Sequence, residues 1–508
     1  MLSLLLLAGT AAAALATAWL TARRRADPAR QGGAATLSEW AVGGRRFGAV
    51  MVFVLFAGEN LTTFTLLGGA GWSYDKGVAS AYSSCYAALA CLASYWYLPK
   101  IWRHAKERRC VSQSDYLRSA YDSKTLGALV TLVGVVAMVP YLALQLKGLS
   151  IIAYETSHRR IPLEAGAVAG AALIAAYAVL GGLRGAALTS IVKDSVVIVV
   201  VLGLGVWLPY HLYGGWGAVT RAVAEQHPDH LALLPERGYG LTWFLTTVVL
   251  CSLGAHMWPH LFVSFFSAKD ERNVRRTLTI APFYGIATGT TLVIGFTALI
   301  ALPPLGKGNE DLAFLRLAAA ELPDPVLGLV GATGLLTALV PGSVLATAIA
   351  TSLARDGYAN LRPGASETEL ATAAKRLLPV VVVVALAFAL AGGQTIVGLL
   401  LAGYAIVVQV FPAVLGSVLP RSPFTRHGVI AGLAVGAAFA ATAPFVGVDW
   451  RHLRAFLPEQ AAEINVGILA LAANLVAAAV VSALTRSKKR PAPSSAATED
   501  EPIRATAV

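Results

Sequence analysis

Charged residues are scarce in this chain of 508 amino acids. Asp, Glu, Lys and Arg together make up 13% of the sequence and hydrophobic residues make up 56%, whereas a soluble globular domain carries about 25% charged residues. The mean hydropathy of the chain is +0.65. A soluble fold of this size is therefore not expected, and the composition indicates an integral membrane protein embedded in a lipid bilayer.

Cysteines and the motifs of soluble enzymes are scarce as well. The spacing of the cysteines fits neither a metal site nor a set of disulfides; they are Cys85, Cys91, Cys110 and Cys251. No glycine-rich loop precedes a Lys-Ser or Lys-Thr pair, so the sequence does not support transport driven by ATP. We therefore predict no enzymatic activity and no cofactor apart from a coupling ion.

The net charge of +12 comes from basic residues that lie in short clusters between long apolar runs. This pattern orients a membrane protein and does not predict a nucleic-acid partner. The first apolar run lacks the basic start of a signal peptide and is followed at once by Arg23–Arg25, so it is expected to remain as a span. We expect a multi-pass protein of the inner membrane, with its N-terminus outside and its C-terminus in the cytoplasm. No feature predicts an obligatory protein partner.

The long apolar runs set the number of membrane spans. A helix needs about 20 apolar residues to cross the bilayer core, and by that measure the chain contains about 13 candidate spans. They lie near residues 2–22, 47–72, 77–101, 124–153, 163–182, 186–209, 241–267, 278–303, 325–354, 376–392, 396–419, 427–447 and 464–485. The polar segment 486–508 is expected to be a disordered cytoplasmic tail.

Two of these spans contain residues that interrupt a helix. In the second span Gly58 precedes the polar residues Glu59 and Asn60, and in the seventh Trp258 precedes Pro259. Backbone that leaves the helix is tolerated in a membrane only where it is buried in protein or lines a cavity. Five spans separate the starts of the two interrupted segments. This is the layout of two inverted five-helix repeats with a binding site between them.

Several local strings follow one another in the order of a known family. They are GGRRFG (43–48), VPYLALQLKG (139–148), YAVLGGLRGAALTSIVKD (177–194), MWPHLF (257–262), SAKDERNVRR (267–276) and ALVPGSVLATAIATSLARDGY (338–358). On these strings the chain resembles the sodium:solute symporters from about residue 40 to about residue 420. Within that family it is similar to the bacterial monocarboxylate permeases.

The resemblance implies an all-α, LeuT-like transport core over residues 47–420, made of two repeats at about 47–209 and 241–419. Residues 1–46 add a helix and a basic cytoplasmic loop before the core, and residues 421–485 add two helices after it. The resemblance also implies cation-coupled import of a small solute, and the branch implies that the solute is a monocarboxylate, a small organic acid.

The resemblance further implies sodium as the coupling ion and assigns its ligands by position. The implied ligands in the second and ninth spans are Gly58, Leu61 and Thr337. A pair of hydroxyls is implied at positions where this chain has Val340 and Pro341, neither of which has a side-chain oxygen. Hard cations want oxygen ligands, and the nearest hydroxyl is that of Ser343, about one helical turn away. A proton is therefore the rival coupling ion.

The predicted solute site combines polar and aromatic residues of the two interruptions and the fourth span. They are Glu59, Asn60, Thr62, Tyr141, Gln145, Lys147, His256, Trp258 and His260. Glu59 is interpreted either as a ligand for a cation, a proton or the solute, or as a carboxylate that caps the broken helix. Lys147 either receives the solute carboxylate, pairs with Glu59 in place of a missing sodium ion, or extends its ammonium to the outer interface.

His256 and His260 share a helical face if the helix continues through Pro259, and they serve as proton relay, solute contacts or structural groups. Lys193 and Asp194, with Arg184, are placed near the cytoplasmic end of the sixth span, where they are expected to pair and to anchor the helix. Two alternatives to a monocarboxylate importer stay open. One is a symporter of an amino acid, a sugar or a vitamin, and the other is a membrane sensor that binds solute without moving it.

Overall fold

The computed structural model describes residues 1–26, 48–358, 362, 364–393, 395–445 and 463–486. Most of these residues are helical and none of them forms a β-strand, so the predicted all-α fold is confirmed. The predicted basic loop around Arg45 and the predicted tail from residue 487 lie outside the described part of the chain.

The helices fall into two groups on either side of the second predicted interruption. The first group is α1 (Leu2–Ala26), α2 (Ala49–Asn60), α3 (Gly69–Lys76), α4 (Tyr82–Glu107), α5 (Gln113–Tyr121), α6 (Lys124–Thr156), α7 (Leu163–Tyr213), α8 (Trp216–Gln226) and α9 (Leu241–Gly254). The second group is α10 (Pro259–Phe266), α11 (Glu271–Ile280), α12 (Tyr284–Ala301), α13 (Ala313–Glu321), α14 (Asp324–Ser352), α15 (Glu367–Leu390), α16 (Ile396–Val407), α17 (Phe411–Val418), α18 (Arg426–Phe445) and α19 (Val466–Thr485). The last two helices, α18 and α19, pack on each other.

Nine helical segments of the described residues are long and apolar enough to cross a membrane, and two bent pairs raise the number to eleven if each pair is one span. The bent pairs lie at the two predicted interruptions, with bends of 53° after α2 and 48° between α9 and α10. The sequence predicted about 13 spans. The difference arises because the helical stretch Phe64–Glu107 contains the end of the second predicted span and the whole of the third, and because α18 has only a short apolar part, Arg426–Thr442.

Gly182 divides α7 into two spans. Its φ of 54° and ψ of −163° are non-helical, and glycine adopts positive φ at little cost because it has no Cβ. The spans on either side are Leu163–Gly182 and Gly185–Tyr213. The side chain of Arg184, a predicted anchor, lies outside the described part of the structure.

α14 lies in the interior of the bundle. In its most apolar stretch 94% of the residues are buried, and it packs against α1, α6 and α7. Glycines allow the close approach: a Cβ at Gly331 would lie 2.5 Å from Oγ1 of Thr156, and one at Gly342 would lie 2.5 Å from Cδ1 of Ile174. Small residues at helix contacts are the usual means of tight packing in membranes. The position of α14 beside the first interruption is therefore set by its neighbours.

Candidate functional site

The first interruption follows directly after α2. Leu61, the residue at its end, has φ −81° and ψ 78°, outside the helical range. The N–H of Thr62 donates to the carbonyl oxygen of Asn60 at 3.1 Å, and not to that of Gly58, which would be its partner in a continuous helix. The carbonyl oxygen of Gly58 therefore needs another donor.

That donor is the ammonium group of Lys193, in the second half of α7. Nζ donates hydrogen bonds to the carbonyl oxygens of Gly58 at 2.7 Å and of Leu61 at 2.9 Å. A third oxygen, Oδ1 of Asp194, lies 2.8 Å from Nζ in an ion pair, and the Lys193 side chain is 0% exposed. The interruption after α2 is therefore closed by a buried cation that belongs to the protein itself.

Gly58 permits this contact because it brings α2 close to α7. A Cβ at this position would lie 2.8 Å from Oγ of Ser190 and 3.4 Å from Oδ2 of Asp194. Gly58 itself lies within α2, and the backbone leaves the helix at Leu61. The glycine that was predicted to interrupt the helix thus serves close packing, and the interruption begins three residues later.

The place of Lys193 differs from the one that the sequence predicted. Lys193 and Asp194 pair as expected, but Lys193 is fully buried and contacts α2, so it does not act as a surface anchor at a helix end. The predicted start of the sixth span, residue 186, agrees with the start at Gly185 in the structure; the prediction went wrong because Lys193, about two turns further along, faces α2. A usable signal was present, since a charged pair inside an apolar run usually has a function or a buried partner.

The resemblance implied a sodium ion at the carbonyls of Gly58 and Leu61. These oxygens do converge, but Nζ of Lys193 lies at the point on which they converge. A sodium ion at this point would overlap with the ammonium group, and two cations in contact repel strongly in a medium of low dielectric constant. The residues present therefore do not fit a sodium ion here.

The hydroxyl groups of α14 near the implied sodium site bond within their own helix. The hydroxyl of Thr337 donates to the carbonyl oxygen of Gly334 at 2.6 Å, and that of Ser343 donates to the carbonyl oxygen of Val340 at 2.7 Å, both within α14. Val340 packs in a small apolar cluster with residues of α7. The chain therefore has no oxygen at the positions of the implied hydroxyl pair, Val340 and Pro341, and the hydroxyl hydrogen of Ser343 is used within α14. The described residues also contain no cluster of three His, Cys, Asp or Glu side chains that would hold another metal ion.

The second interruption separates α9 from α10. α9 ends at Gly254, Trp258 has ψ 126°, and Pro259 is the first residue of α10. Proline fits this position because the N–H of the first helical residue has no partner in the helix. The carbonyl oxygen of Met257 accepts a hydrogen bond of 2.8 Å from Nε2 of Gln113. An uncharged side chain thus supplies the hydrogen bond to the backbone at this interruption.

The two histidines beside this interruption have different surroundings. Nδ1 of His256 lies 2.6 Å from Oγ of Ser94, and its ring stacks on Phe56 with 5.5 Å between centroids. His260 packs against Tyr141, with 5.5 Å between centroids, and neither of its ring nitrogens has a hydrogen-bond partner among the described residues. Because the helix does not continue to Pro259, the condition for a common face of the two histidines is not met.

Tyr141 and Gln145 of α6 lie between the two interruptions. The Tyr141 hydroxyl donates to the backbone oxygen of Glu59 at 3.2 Å, and its ring lies 4.8 Å from that of Trp258. One turn further along, Oε1 of Gln145 accepts a hydrogen bond of 2.8 Å from the hydroxyl of Thr63. Nε2 of Gln145 is buried and has no partner in the part of the chain that the structure describes. α6 thus bridges the interruptions through Tyr141 and places a buried amide donor beside the first of them.

Glu59 supplies a buried carboxylate to the same region. Its side chain is 0% exposed, and neither carboxylate oxygen has a hydrogen-bond partner among the described residues. It therefore makes no capping bond to the broken helix, which was one of its two interpretations. The charged groups that act on it are Lys193 and Asp194. A carboxylate in a membrane span without a hydrogen-bond partner is a candidate for function.

Asn60 and Thr62, which were also predicted for the solute site, make local hydrogen bonds. Nδ2 of Asn60 donates to the carbonyl oxygen of Phe56 at 2.7 Å, and Oγ1 of Thr62 accepts from the N–H of Phe64 at 3.2 Å. These bonds stabilise the backbone on the two sides of the interruption.

Lys147 lies apart from Glu59. Its ammonium is 2.8 Å from Oδ2 of Asp311, and the same oxygen accepts a 3.0 Å hydrogen bond from the N–H of Ile396 at the start of α16. Burial raises the pKa of Asp311, and the charge of Lys147 acts in the opposite direction. The hypothesis that Lys147 pairs with Glu59 is therefore wrong: the lysine beside the first interruption is Lys193.

A cavity of about 60 Å³ reaches His260 from one end of the helix bundle. Its polar lining comes from α10, α14, α6 and the segment that begins α5, and includes Ser112, Gln113, Thr131, Ser264, Thr347 and Ser352. Lys147 lies sixteen residues beyond Thr131 on α6, which corresponds to about 24 Å. The pair of Lys147 and Asp311 is therefore on the far side of the buried site from the cavity.

A row of packed aromatic rings runs from the second interruption towards that far side. Trp258 lies 5.3 Å from Tyr404, Tyr404 lies 5.8 Å from Tyr86, and Tyr86 lies 6.1 Å from Tyr82, all between ring centroids. The Tyr82 ring in turn contacts Trp72. The buried site is thus closed by packed rings on one side and approached by the cavity on the other.

Comparisons with known proteins identify the family of the chain. Residues 40–436 match the sodium:solute symporter family. The chain is 42% identical over 469 residues to the uncharacterized symporter YhjB of Bacillus subtilis, and the match covers 92% of this chain and 96% of that protein. It is 27% identical over 458 residues to a monocarboxylate transport permease protein of Rhizobium johnstonii, covering 89% and 92% of the two chains.

Among solved structures, a sodium-coupled sialic acid symporter shares the fold. The TM-score is 0.76 over 95% of this chain and 98% of that one, at 15% identity. The fold is LeuT-like, a fold of two inverted repeats whose first helices are interrupted. The chain is thus a membrane-embedded secondary transporter and not an enzyme. It belongs to the sodium:solute symporter family.

Proposed function

We propose that this protein imports a small monocarboxylate by cation-coupled symport. The observation that carries the proposal is a set of buried polar atoms beside the two interruptions that have no hydrogen-bond partner among the described residues. They are Nε2 of Gln145, both ring nitrogens of His260 and the carboxylate oxygens of Glu59. Buried polar groups are normally hydrogen-bonded, so a bound solute with polar atoms suits this place. The relative described as a monocarboxylate transport permease supports the substrate class.

A small monocarboxylate matches the chemistry of these residues. Its two carboxylate oxygens accept hydrogen bonds, and the amide of Gln145 and one N–H of a neutral His260 donate them. Its short apolar part would pack against Trp258 and Tyr141, whose rings are in contact. The nearby carboxylate of Glu59 repels an anion unless Glu59 carries a proton. Binding of the acid and protonation of Glu59 therefore favour each other, which gives a physical basis for symport.

The cavity and the packed rings support a model of alternating access. The cavity end of the bundle carries Ser112 and Ser352, and the distribution of basic residues predicts that this end faces the cytoplasm. Solute would leave through the cavity in this conformation. Opening to the outside then requires the interrupted helices to move against the rest of the bundle, with separation of Lys147 from Asp311.

Uptake into proteoliposomes tests the proposal. Labelled lactate or pyruvate is offered with a pH gradient or a sodium gradient imposed separately, and we expect saturable accumulation that depends on the imposed gradient. Gln145→Leu removes the amide donor and should raise the KM by about tenfold, the effect of roughly 1.4 kcal/mol. Gln226→Leu, the same change at an exposed position of α8, is the matched control.

Failure of every small carboxylic acid to accumulate under either gradient would contradict the proposed substrate class. Accumulation of an amino acid, a sugar or a vitamin in the same vesicles would assign the alternative substrate. An unchanged KM in Gln145→Leu would remove Gln145 from the solute site.

A further inference from the structure

The oxygen atoms around Nζ of Lys193 form a cation site. Two backbone carbonyl oxygens and one carboxylate oxygen lie within 2.7–2.9 Å of the nitrogen. Hard cations such as sodium bind carbonyl and carboxylate oxygens, and an ammonium group, with three N–H donors and no acceptor, prefers the same atoms. The chemistry of the site thus suits either a free cation or a lysine, and here a lysine is built into it.

At the two positions of α14 where the resemblance implies hydroxyl ligands, the chain has no side-chain oxygen. The side of the site that α14 would provide carries Val340, which packs with residues of α7. The hydroxyls of Thr337 and Ser343 donate to carbonyl oxygens of their own helix. The charge that holds α2 to α7 therefore comes from Lys193.

We propose that the ammonium of Lys193 is a tethered substitute for the coupling sodium ion, so that transport by this protein does not require sodium. The part of this inference that concerns transport rests on the proposed function, whereas the part that concerns cation binding does not. A covalently attached cation stays with the protein through every cycle and moves no charge across the membrane. The driving force therefore comes from an ion other than one bound at Gly58 and Leu61.

The first experiment uses the unmodified full-length protein. Its thermal unfolding midpoint in detergent is measured in sodium chloride and in choline chloride at equal concentration and pH. A ligand that binds only the folded state raises the midpoint in a saturable manner, so we expect a difference of about 1 °C or less between the two salts. The initial rate of monocarboxylate uptake into proteoliposomes is expected to be the same in both salts within about twofold.

The second experiment removes the tethered cation. Lys193→Ala leaves the oxygens of Gly58, Leu61 and Asp194 without a positive charge, and we expect its midpoint in choline to fall by about 5 °C or more. Sodium or methylammonium, added at increasing concentration, should restore about half of this loss because a free cation then enters the site.

The matched control is Arg316→Ala. Arg316 pairs at 2.8 Å with Glu155, whose side chain is 2% exposed, so this variant also leaves a buried carboxylate without its main partner but has no converging carbonyl oxygens. Restoration by sodium or methylammonium is expected for Lys193→Ala and not for Arg316→Ala.

A saturable, sodium-dependent rise in the midpoint of the unmodified protein overturns the proposal, whatever the variants do. So does a Lys193→Ala protein that loses no stability in choline, or one that neither cation restores. If no monocarboxylate is taken up but the unfolding results are as expected, the substrate assignment fails and the tethered cation stands. If Lys193→Ala cannot be purified, the sodium titration of the unmodified protein decides.

Discussion

The two interrupted helices occupy equivalent places in the repeats, but their backbones are satisfied by different chemistry. After α2, a buried ammonium group, that of Lys193, bonds the carbonyl oxygens of Gly58 and Leu61. Between α9 and α10, the uncharged amide of Gln113 bonds the carbonyl oxygen of Met257. The backbone at the first interruption is thus held by a charged group, and the backbone at the second is held by an uncharged one.

This difference affects how easily each interruption can change shape. Separating a buried ion pair costs far more than exchanging one neutral hydrogen bond, because each charge loses its partner in a medium that solvates it poorly. Gln113 also lines the cavity, where water or solute is able to replace its hydrogen bond. We therefore expect α2 and the second half of α7 to stay in contact and to move together as one unit during transport, and the segment around Met257 to rearrange.

Removal of the charge at the first interruption should have the largest effect. Lys193→Met leaves Asp194 buried without its partner and two carbonyl oxygens without donors, so we expect the free energy of unfolding to fall by about 3–5 kcal/mol. Denaturant titration in detergent measures this quantity.

The double variant Lys193→Met with Asp194→Asn shows whether charge is the cause. It removes both charges together, so it should recover part of the stability that the single variant loses. A double variant as unstable as the single one would show that packing, and not the ion pair, determines the effect.

A methyl group at Gly58 should have an intermediate effect. Gly58→Ala places a Cβ 2.8 Å from Oγ of Ser190, which pushes α2 away from α7 and lengthens the bonds of Lys193, so we expect a loss of about 2–3 kcal/mol. Gly203→Ala is the control, since a Cβ there meets no atom within 4 Å and alanine is favoured over glycine in a helix by about 1 kcal/mol. Equal stabilities of the two variants in the same titration would argue against close packing at Gly58.

The positions of the two interruptions could be predicted because their causes are local. Pro259 removes a backbone donor and clashes with the preceding helical turn, and polar residues such as Glu59 and Asn60 within an apolar run show where backbone and side chains avoid lipid. The ends of the spans follow from apolar length. These features are visible in a short stretch of sequence, and both bends of the structure lie at the two predicted interruptions.

The groups that satisfy the interruptions could not be predicted in the same way. Lys193 is 135 residues from Gly58, and Gln113 is 144 residues from Met257, so each contact depends on how distant helices pack. The break at Gly182 and the start of the next span agree with the sequence-based bounds, but these bounds do not show which neighbouring helix the Lys193 side chain faces. A lysine in an apolar run is compatible with both places.

The smallest effect is expected at the second interruption. Gln113→Met keeps the length of the side chain but removes the donor to the carbonyl oxygen of Met257, and we expect a loss of about 1–2 kcal/mol, since an unsatisfied buried carbonyl is costly but this one can turn towards the cavity. Gln226→Met, at an exposed position, should leave stability unchanged in the same titration. Because the segment is expected to move during transport, Gln113→Met should also increase amide hydrogen exchange around Met257 while leaving exchange around Leu61 as it was. An equal increase in exchange at both interruptions would show that the two segments move together. The distinction between a first interruption fixed by a charged group and a mobile second one held by an uncharged group would then be wrong.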